Sequence, residues 1–244
     1  MIEQLMMTTF RIGTFDIDKP LTNATGFLFQ REARLFLVTA NHVVYDEASR
    51  HFPSRLVIEF HVDGRDMTRT VGFSMPLYDD GKSLWRGALD GGGLVDVAVL
   101  EIDRAAMPAN ANYRAFTPGN IPGSDSQIDV GSTLVTLGFP MGFHDALHHL
   151  PVARQAGLAS SWGIRFQGNG YFLVDARTHR GISGAPVVMR MADADEDHSS
   201  ARLPWRLLGV HSSKLEAGSR DPKQDDALGL NAVWYADILL TLTQ

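Results

Sequence analysis

Short apolar runs, each bounded by turn-forming residues, recur along the whole chain. Thr25-Gly26-Phe27-Leu28-Phe29 and Arg34-Leu35-Phe36-Leu37-Val38 are separated by polar Gln30-Arg31-Glu32-Ala33, which predicts a β-hairpin. Residues 56–62 partly alternate and meet the turn signal Asp63-Gly64. Residues 95–102 interleave small and apolar side chains with Asp96 and Glu101, and residues 132–140 form another run ending in a turn. Residues 171–174 and 205–211 complete the clear strands. Many short strands at near-regular spacing predict an all-β barrel or sandwich, not a parallel α/β sheet. One helix is expected, over residues 232–242, with Val233, Ile238, Leu239 and Leu242 sharing a face.

Residues 105–131 break the pattern. They are rich in Pro, Asn, Gly and Ser and lie near the middle of the chain, so they read as a linker between two halves, 1–117 and 118–244, of one domain. No internal repeat is visible. The acidic tract 192–200 is expected to be a solvated hairpin tip.

Composition narrows the classes. A length of 244 residues suits one large all-β domain or two small ones, and 44% hydrophobic with 20% charged residues is ordinary for a globular enzyme. A net charge of −6 leaves no basic excess for phosphates, so nucleic acid is not expected as a partner. There is no cysteine, which suits a reducing compartment. The N-terminus lacks a basic region and a long apolar core, so no signal peptide is read there. No stretch approaches the ~20 apolar residues that span a bilayer. A cytoplasmic protein without a membrane association is the expectation.

Three fragments carry chemistry. Arg180-Gly181-Ile182-Ser183-Gly184-Ala185-Pro186 sets a serine between glycines ahead of the apolar Val187-Val188-Met189. Thr39-Ala40-Asn41-His42-Val43-Val44 places a histidine where a strand gives way to a turn or short helix, and Asp96 opens an apolar strand. A serine hydroxyl needs a nearby base to attack a carbonyl, and histidine titrates in the right range. A buried carboxylate fixes the imidazole tautomer and stabilises the imidazolium. Glycines beside the serine leave room for substrate and let the N–H groups of Gly181 and Ser183 face a developing oxyanion. Each residue alone has an ordinary structural reading. Their order, His then Asp then Ser in a β context, is what selects nucleophilic catalysis. The α/β-hydrolase elbow is excluded, because position 185 is Ala and His42 and Asp96 precede Ser183.

With these residues in view, the chain resembles the chymotrypsin-like serine proteases. It is closest to the bacterial trypsin-like peptidases of the HtrA type and to the glutamyl endopeptidases, over roughly 26–211. The resemblance implies two six-stranded antiparallel β-barrels with the site between them and a short C-terminal helix. It implies a catalytic His42, Asp96 and Ser183, an oxyanion hole from Gly181 and Ser183, and a protein or peptide substrate. No cofactor and no metal are implied. No PDZ segment follows in this sequence. Ile182 stands where many relatives carry the Asp that pairs with a new N-terminal amine, so activity without N-terminal cleavage is expected. The same residue leaves open an activating protein partner, and an idle trypsin-fold binding module as the alternative.

Specificity also rests on the resemblance. Arg177 occupies the place of the aspartate that receives Lys or Arg in trypsin, so a trypsin-like preference is not expected. Thr178 and His211 match the two residues that receive an acidic side chain in glutamyl endopeptidases, and Ser212 adjoins them. Arg177, His179, Arg180 and Lys214 would add positive potential. Acidic and small apolar cleavage sites both remain open. The cluster Phe143-His144-Asp145-Ala146-Leu147-His148-His149 is read as a surface loop, not a zinc site, because it lacks the His-Glu-x-x-His pattern. Gly91-Gly92-Gly93 is read as a loop leading to Asp96, since no Gly-Lys-Ser/Thr follows it.

Overall fold

The computed structural model describes residues 3–123, 126–191, 203–214 and 228–244. Nine strands fill the first half: β1 (Thr9–Asp16), β2 (Lys19–Arg31), β3 (Arg34–Thr39), β4 (Arg55–His61), β5 (Thr70–Pro76), β6 (Tyr78–Asp79), β7 (Lys82–Ser83), β8 (Trp85–Asp90) and β9 (Gly93–Glu101). A single helical turn, α1 (Asn41–Val44), follows β3. Six strands build the second half: β10 (Thr133–Gly138), β11 (Val152–Leu158), β12 (Tyr171–Asp175), β13 (Pro186–Arg190), β14 (Trp205–Lys214) and β15 (Leu230–Tyr235). A last helix, α2 (Ile238–Leu242), ends the chain.

The second half is a closed six-stranded antiparallel barrel in the order β10-β11-β12-β15-β14-β13. The first half departs from expectation. It is a seven-stranded antiparallel sheet, β5-β4-β1-β2-β3-β9-β8, with no ladder joining β5 to β8. The β6–β7 hairpin lies between those edges in the chain, and a register shift between Arg86 and Ala88 disturbs β8. The helix expected over 232–242 is a second correction. Residues 230–235 form β15, paired on one side with β12 and on the other with β14, and only 238–242 are helical. Val233, Trp234 and Tyr235 are β-favouring side chains, and pairing on both edges overrides the weak helical period.

The apolar alternation is used as it reads. Leu56, Ile58 and Phe60 of β4 turn inward with Phe10, Leu28, Leu37 and Phe73, filling the first half. Phe172, Val174, Val187 and Val233 fill the closed barrel. A third cluster joins Phe27, Phe29, Val97 and Val99 to Leu137, Val188, Val210 and Trp234, so the halves share one continuous core. The Asn120 side-chain amide adds a polar tie, donating to the carbonyls of Leu203 and Trp205 at 3.3 and 2.9 Å. No helix among the described residues is long and apolar enough to cross a membrane. The acidic tract 192–200 lies outside the described residues, as does the Lys214 side chain.

Candidate active site

Strand register brings His42 to Asp96. Thr39, the last residue of β3, pairs with Ala98 of β9, so the residues just beyond Thr39 face those just before Ala98. The chain then turns through α1, and Asp96 grips His42 twice. Asp96 Oδ1 accepts the His42 main-chain N–H at 2.9 Å, and Oδ2 lies 2.8 Å from His42 Nδ1. This geometry places the proton on Nδ1 and leaves the Nε2 lone pair free for a substrate-side hydroxyl. Ser212 Oγ donates to the same Oδ2 at 2.5 Å. The carboxylate thus collects three donors, which offsets the cost of its partial burial. Burial alone would pull the His42 imidazole down. The hydrogen bond and charge of Asp96, with a contribution from Asp46, outweigh it and leave the group above its ordinary value.

Ser183 sits in the loop between β12 and β13, and that loop is fixed at every carbonyl from 180 to 183. Arg180 C=O accepts from Met141 N–H at 2.5 Å, and Ile182 C=O from Ala185 N–H at 2.9 Å. Gly181 C=O accepts from Thr25 Oγ1 at 2.7 Å, and Ser183 C=O from Thr25 N–H at 3.0 Å. Across a trans peptide the N–H points opposite to the carbonyl, so anchoring Arg180 C=O on Met141 aims Gly181 N–H the other way. Among the described residues, neither Gly181 N–H nor Ser183 N–H has an intramolecular acceptor. Two free, rigidly held donors beside a serine can stabilise an oxyanion. No hydrogen bond joins His42 Nε2 to Ser183 Oγ among the described contacts, a looseness common in unliganded catalytic sites.

The glycines are there for space as well as conformation. Gly181 and Gly184 have φ of 92° and 85°, values that side chains rarely adopt. A Cβ on Gly184 would lie 2.2 Å from Thr25 C=O, and one on Gly181 2.6 Å from Phe139 C=O. Ile182 is 1% exposed and packs against Gly138, where a Cβ would come within 3.0 Å of the isoleucine. The place expected to lack an ion pair is filled by apolar packing.

The family described as trypsin-like peptidase domain matches residues 24–192. The chain belongs to that family. The serine endoprotease from Yersinia pestis shares the fold at TM-score 0.55 and 13% identity; the match covers 98% of this chain but 62% of that one. Two inactive forms of the Rv3671c protease, one described as from M. tuberculosis H37Rv, align at TM-scores of 0.49 and 0.48. Their identities are 16% and 14%, with 96% and 97% of this chain and 86% and 84% of theirs covered. No curated protein matches the sequence. In this trypsin-like peptidase domain the candidate residues come from both halves: His42 and Asp96 from the open sheet and the turn after it, Ser183 from the loop before β13 of the closed barrel.

The expected specificity residues are brought together only in part. Thr178 and His211 are each 2% exposed and meet at Asn231, which is fully buried. Asn231 Oδ1 accepts from the Thr178 hydroxyl and from His211 Nε2, the latter at 3.3 Å. Its amide donates to the carbonyls of Ala176 and Gly229 at 2.7 and 2.9 Å, which fixes the orientation of the side chain. Burial, with the nearby His42 charge and against the Asn231 bond and Asp96, pushes His211 down to about 4. Arg177 and Arg180 are exposed. The Ser212 hydroxyl is committed to Asp96.

In the histidine-rich loop, His144 Nδ1 meets Gly142 C=O at 2.6 Å, His148 meets Asp145 at 2.7 Å and His149 meets Glu59 at 2.9 Å. Thr25, Asn231 and the Met141 amide were not singled out from sequence. For the two side chains a signal existed, a polar residue set inside or at the edge of an apolar run, where burial demands a partner.

Proposed function

We propose that this domain is a serine endopeptidase acting through Ser183, His42 and Asp96. His42 Nε2 takes the Ser183 Oγ proton as the oxygen adds to the scissile carbonyl carbon. The carbonyl oxygen becomes an oxyanion held by the N–H groups of Gly181 and Ser183. Collapse breaks the C–N bond, the leaving amine takes the proton from His42, and an acyl-serine ester remains. Water then repeats the sequence, giving its proton to His42, and returns Ser183 with a free carboxylic acid. Asp96 stabilises the imidazolium without taking its proton. The observation that carries this reading is the pairing of a doubly gripped His42 with a loop whose two oxyanion donors are unoccupied.

We further infer that the domain needs no N-terminal cleavage. Buried Ile182 occupies the position of the activation ion pair, and the loop is tied within the chain. That tying also favours an intrinsically formed site over one assembled by a protein partner. At the cleaved position we favour small apolar residues over acidic ones. Thr178 and His211 already donate to Asn231, and His211, pushed down to about 4, is neutral at pH 7 and offers no charge to an acidic side chain. A peptide-library cleavage profile of wild type and Ser183→Ala tests the whole proposal. Cleavage after small residues by wild type alone is expected. Cleavage after Glu or Asp would reverse the specificity reading. No cleavage by the purified chain, with cleavage on adding a partner, would restore gating. Peptide binding without hydrolysis would favour a binding module.

A further inference from the structure

We propose that Thr25 is a positioning residue that holds the oxyanion loop in its working conformation, in place of an activation ion pair. The inference rests on the proposed role of Ser183. Thr25 lies in β2 of the open sheet, packed directly against the loop of the closed barrel, and is fully buried. All its polar groups are used. Its hydroxyl donates to Gly181 C=O at 2.7 Å and accepts from Phe139 N–H at 3.1 Å. Its N–H donates to Ser183 C=O at 3.0 Å, and its C=O accepts from Thr39 Oγ1 at 2.8 Å.

The hydroxyl is the part that local structure does not require. The main-chain groups of Thr25 would be present with any residue there. A hydroxyl supplies one donor and accepts in return, so a single atom links Gly181 to the end of β10. That end is the segment whose Met141 N–H holds Arg180 C=O. Peptide 180–181, which presents one oxyanion donor, is therefore anchored on Met141, and peptide 181–182, which leads to the other, on Thr25, while Thr25 and Met141 are tied to one segment through Phe139. Space is as limited as polarity. A Cβ on Gly138 would lie 2.8 Å from Thr25 Oγ1, and one on Gly184 2.2 Å from Thr25 C=O. Removing the hydroxyl with the shape kept leaves Gly181 C=O and Phe139 N–H without this partner. Peptide 181–182, which links the two peptides bearing the oxyanion donors, is then freer to rotate, and those two keep only their bonds to Met141 and Ala185.

The test uses the intact chain as wild type, Thr25→Val, Thr25→Ser and Thr25→Cys. It reads kcat and KM on a peptide, the rate of fluorophosphonate labelling at Ser183, and the melting temperature. Thr25→Val should lower kcat and the labelling rate by about 10- to 100-fold, somewhat less than outright removal of an oxyanion donor. KM should stay within about threefold, and Thr25→Ser should recover most of kcat, because uniform binding is untouched. Unchanged kcat in Thr25→Val overturns the proposal. So does a loss confined to KM, or a Thr25→Ser variant as slow as Thr25→Val. If Thr25→Val does not fold, Thr25→Cys decides: its weaker donor should give an intermediate kcat, and a full wild-type kcat overturns the proposal. If wild-type Ser183 does not label at all, the endopeptidase reading falls by itself. Hydrogen exchange over residues 180–185 then decides the latch. Faster exchange in Thr25→Val than in wild type supports it, and equal exchange overturns it.

Discussion

Ser212 Oγ donates to Asp96 Oδ2 at 2.5 Å, so a strand of the closed barrel steadies the carboxylate that the open sheet presents to His42. The same oxygen faces His42 Nδ1 at 2.8 Å. Ser212→Ala should lower kcat/KM by roughly tenfold, the equivalent of one charge-assisted hydrogen bond of about 1.5 kcal/mol. Asp96→Asn should lower kcat by about 10⁴-fold, because an amide no longer fixes the tautomer. Steady-state kinetics on the two variants separates support of the carboxylate from its charge.

The pH dependence of activity follows from His42. Asp96 and Asp46 hold its imidazole above the ordinary value despite burial, and only the neutral ring can accept the Ser183 proton. Activity should therefore rise with pH through a midpoint above about 6.5. Stability carries the opposite sign. A raised folded value stabilises the fold below about 6.5, and that contribution is lost as pH rises through the folded value. Asp96→Asn should move the kinetic midpoint down, read from kcat/KM between pH 5 and 9.

His211 should make the fold acid-sensitive. Its folded value is pushed to about 4, by burial first and the His42 charge second. Above about 6.5 the ring is neutral in both states and contributes no pH dependence. As pH falls from about 6.5 to 4 the unfolded chain takes up a proton that the fold refuses, costing about 3 kcal/mol. Denaturant midpoints for wild type and His211→Gln should diverge in that window, with the variant less affected by acid.

The candidate site was named from the chain order of His42, Asp96 and Ser183, because the proposed catalysis would demand residue types that carry their own local context. The strands were legible for the same reason: alternation such as Leu56, Ile58 and Phe60 is imposed by one buried face. The closure of the first sheet was not, since β5 and β8 meet or miss according to what the β6–β7 hairpin does in three dimensions. Residues 230–235 misled because Val233 and Trp234 fit either period, and pairing with β12 and β14 decides. Thr25 and Asn231 escaped notice because their partners are 156 and 53 residues away in sequence, at Gly181 and Thr178. A polar residue in an apolar run signals that a partner is needed, but not which distant residue supplies it.

The glycine at 184 should tolerate no side chain. Its φ is 85°, and a Cβ would meet Thr25 C=O at 2.2 Å, a backbone atom that cannot swing aside. Gly184→Ala should destabilise the fold by about 3 kcal/mol or more through positive φ and overlap combined. Thermal melts check this, with Gly123→Ala, where a Cβ meets nothing within 4 Å, as the neutral control.

Ser183 is proposed to be a nucleophile activated by His42 and backed by a formed oxyanion hole. The direct measurement is intact-mass and peptide mapping after exposure of the purified chain to a fluorophosphonate. Wild type should gain one adduct, located on Ser183, while Ser183→Ala gains none and His42→Ala reacts at least 10³-fold more slowly, as loss of the general base requires. An adduct that persists in Ser183→Ala, or an undiminished rate in His42→Ala, would contradict it.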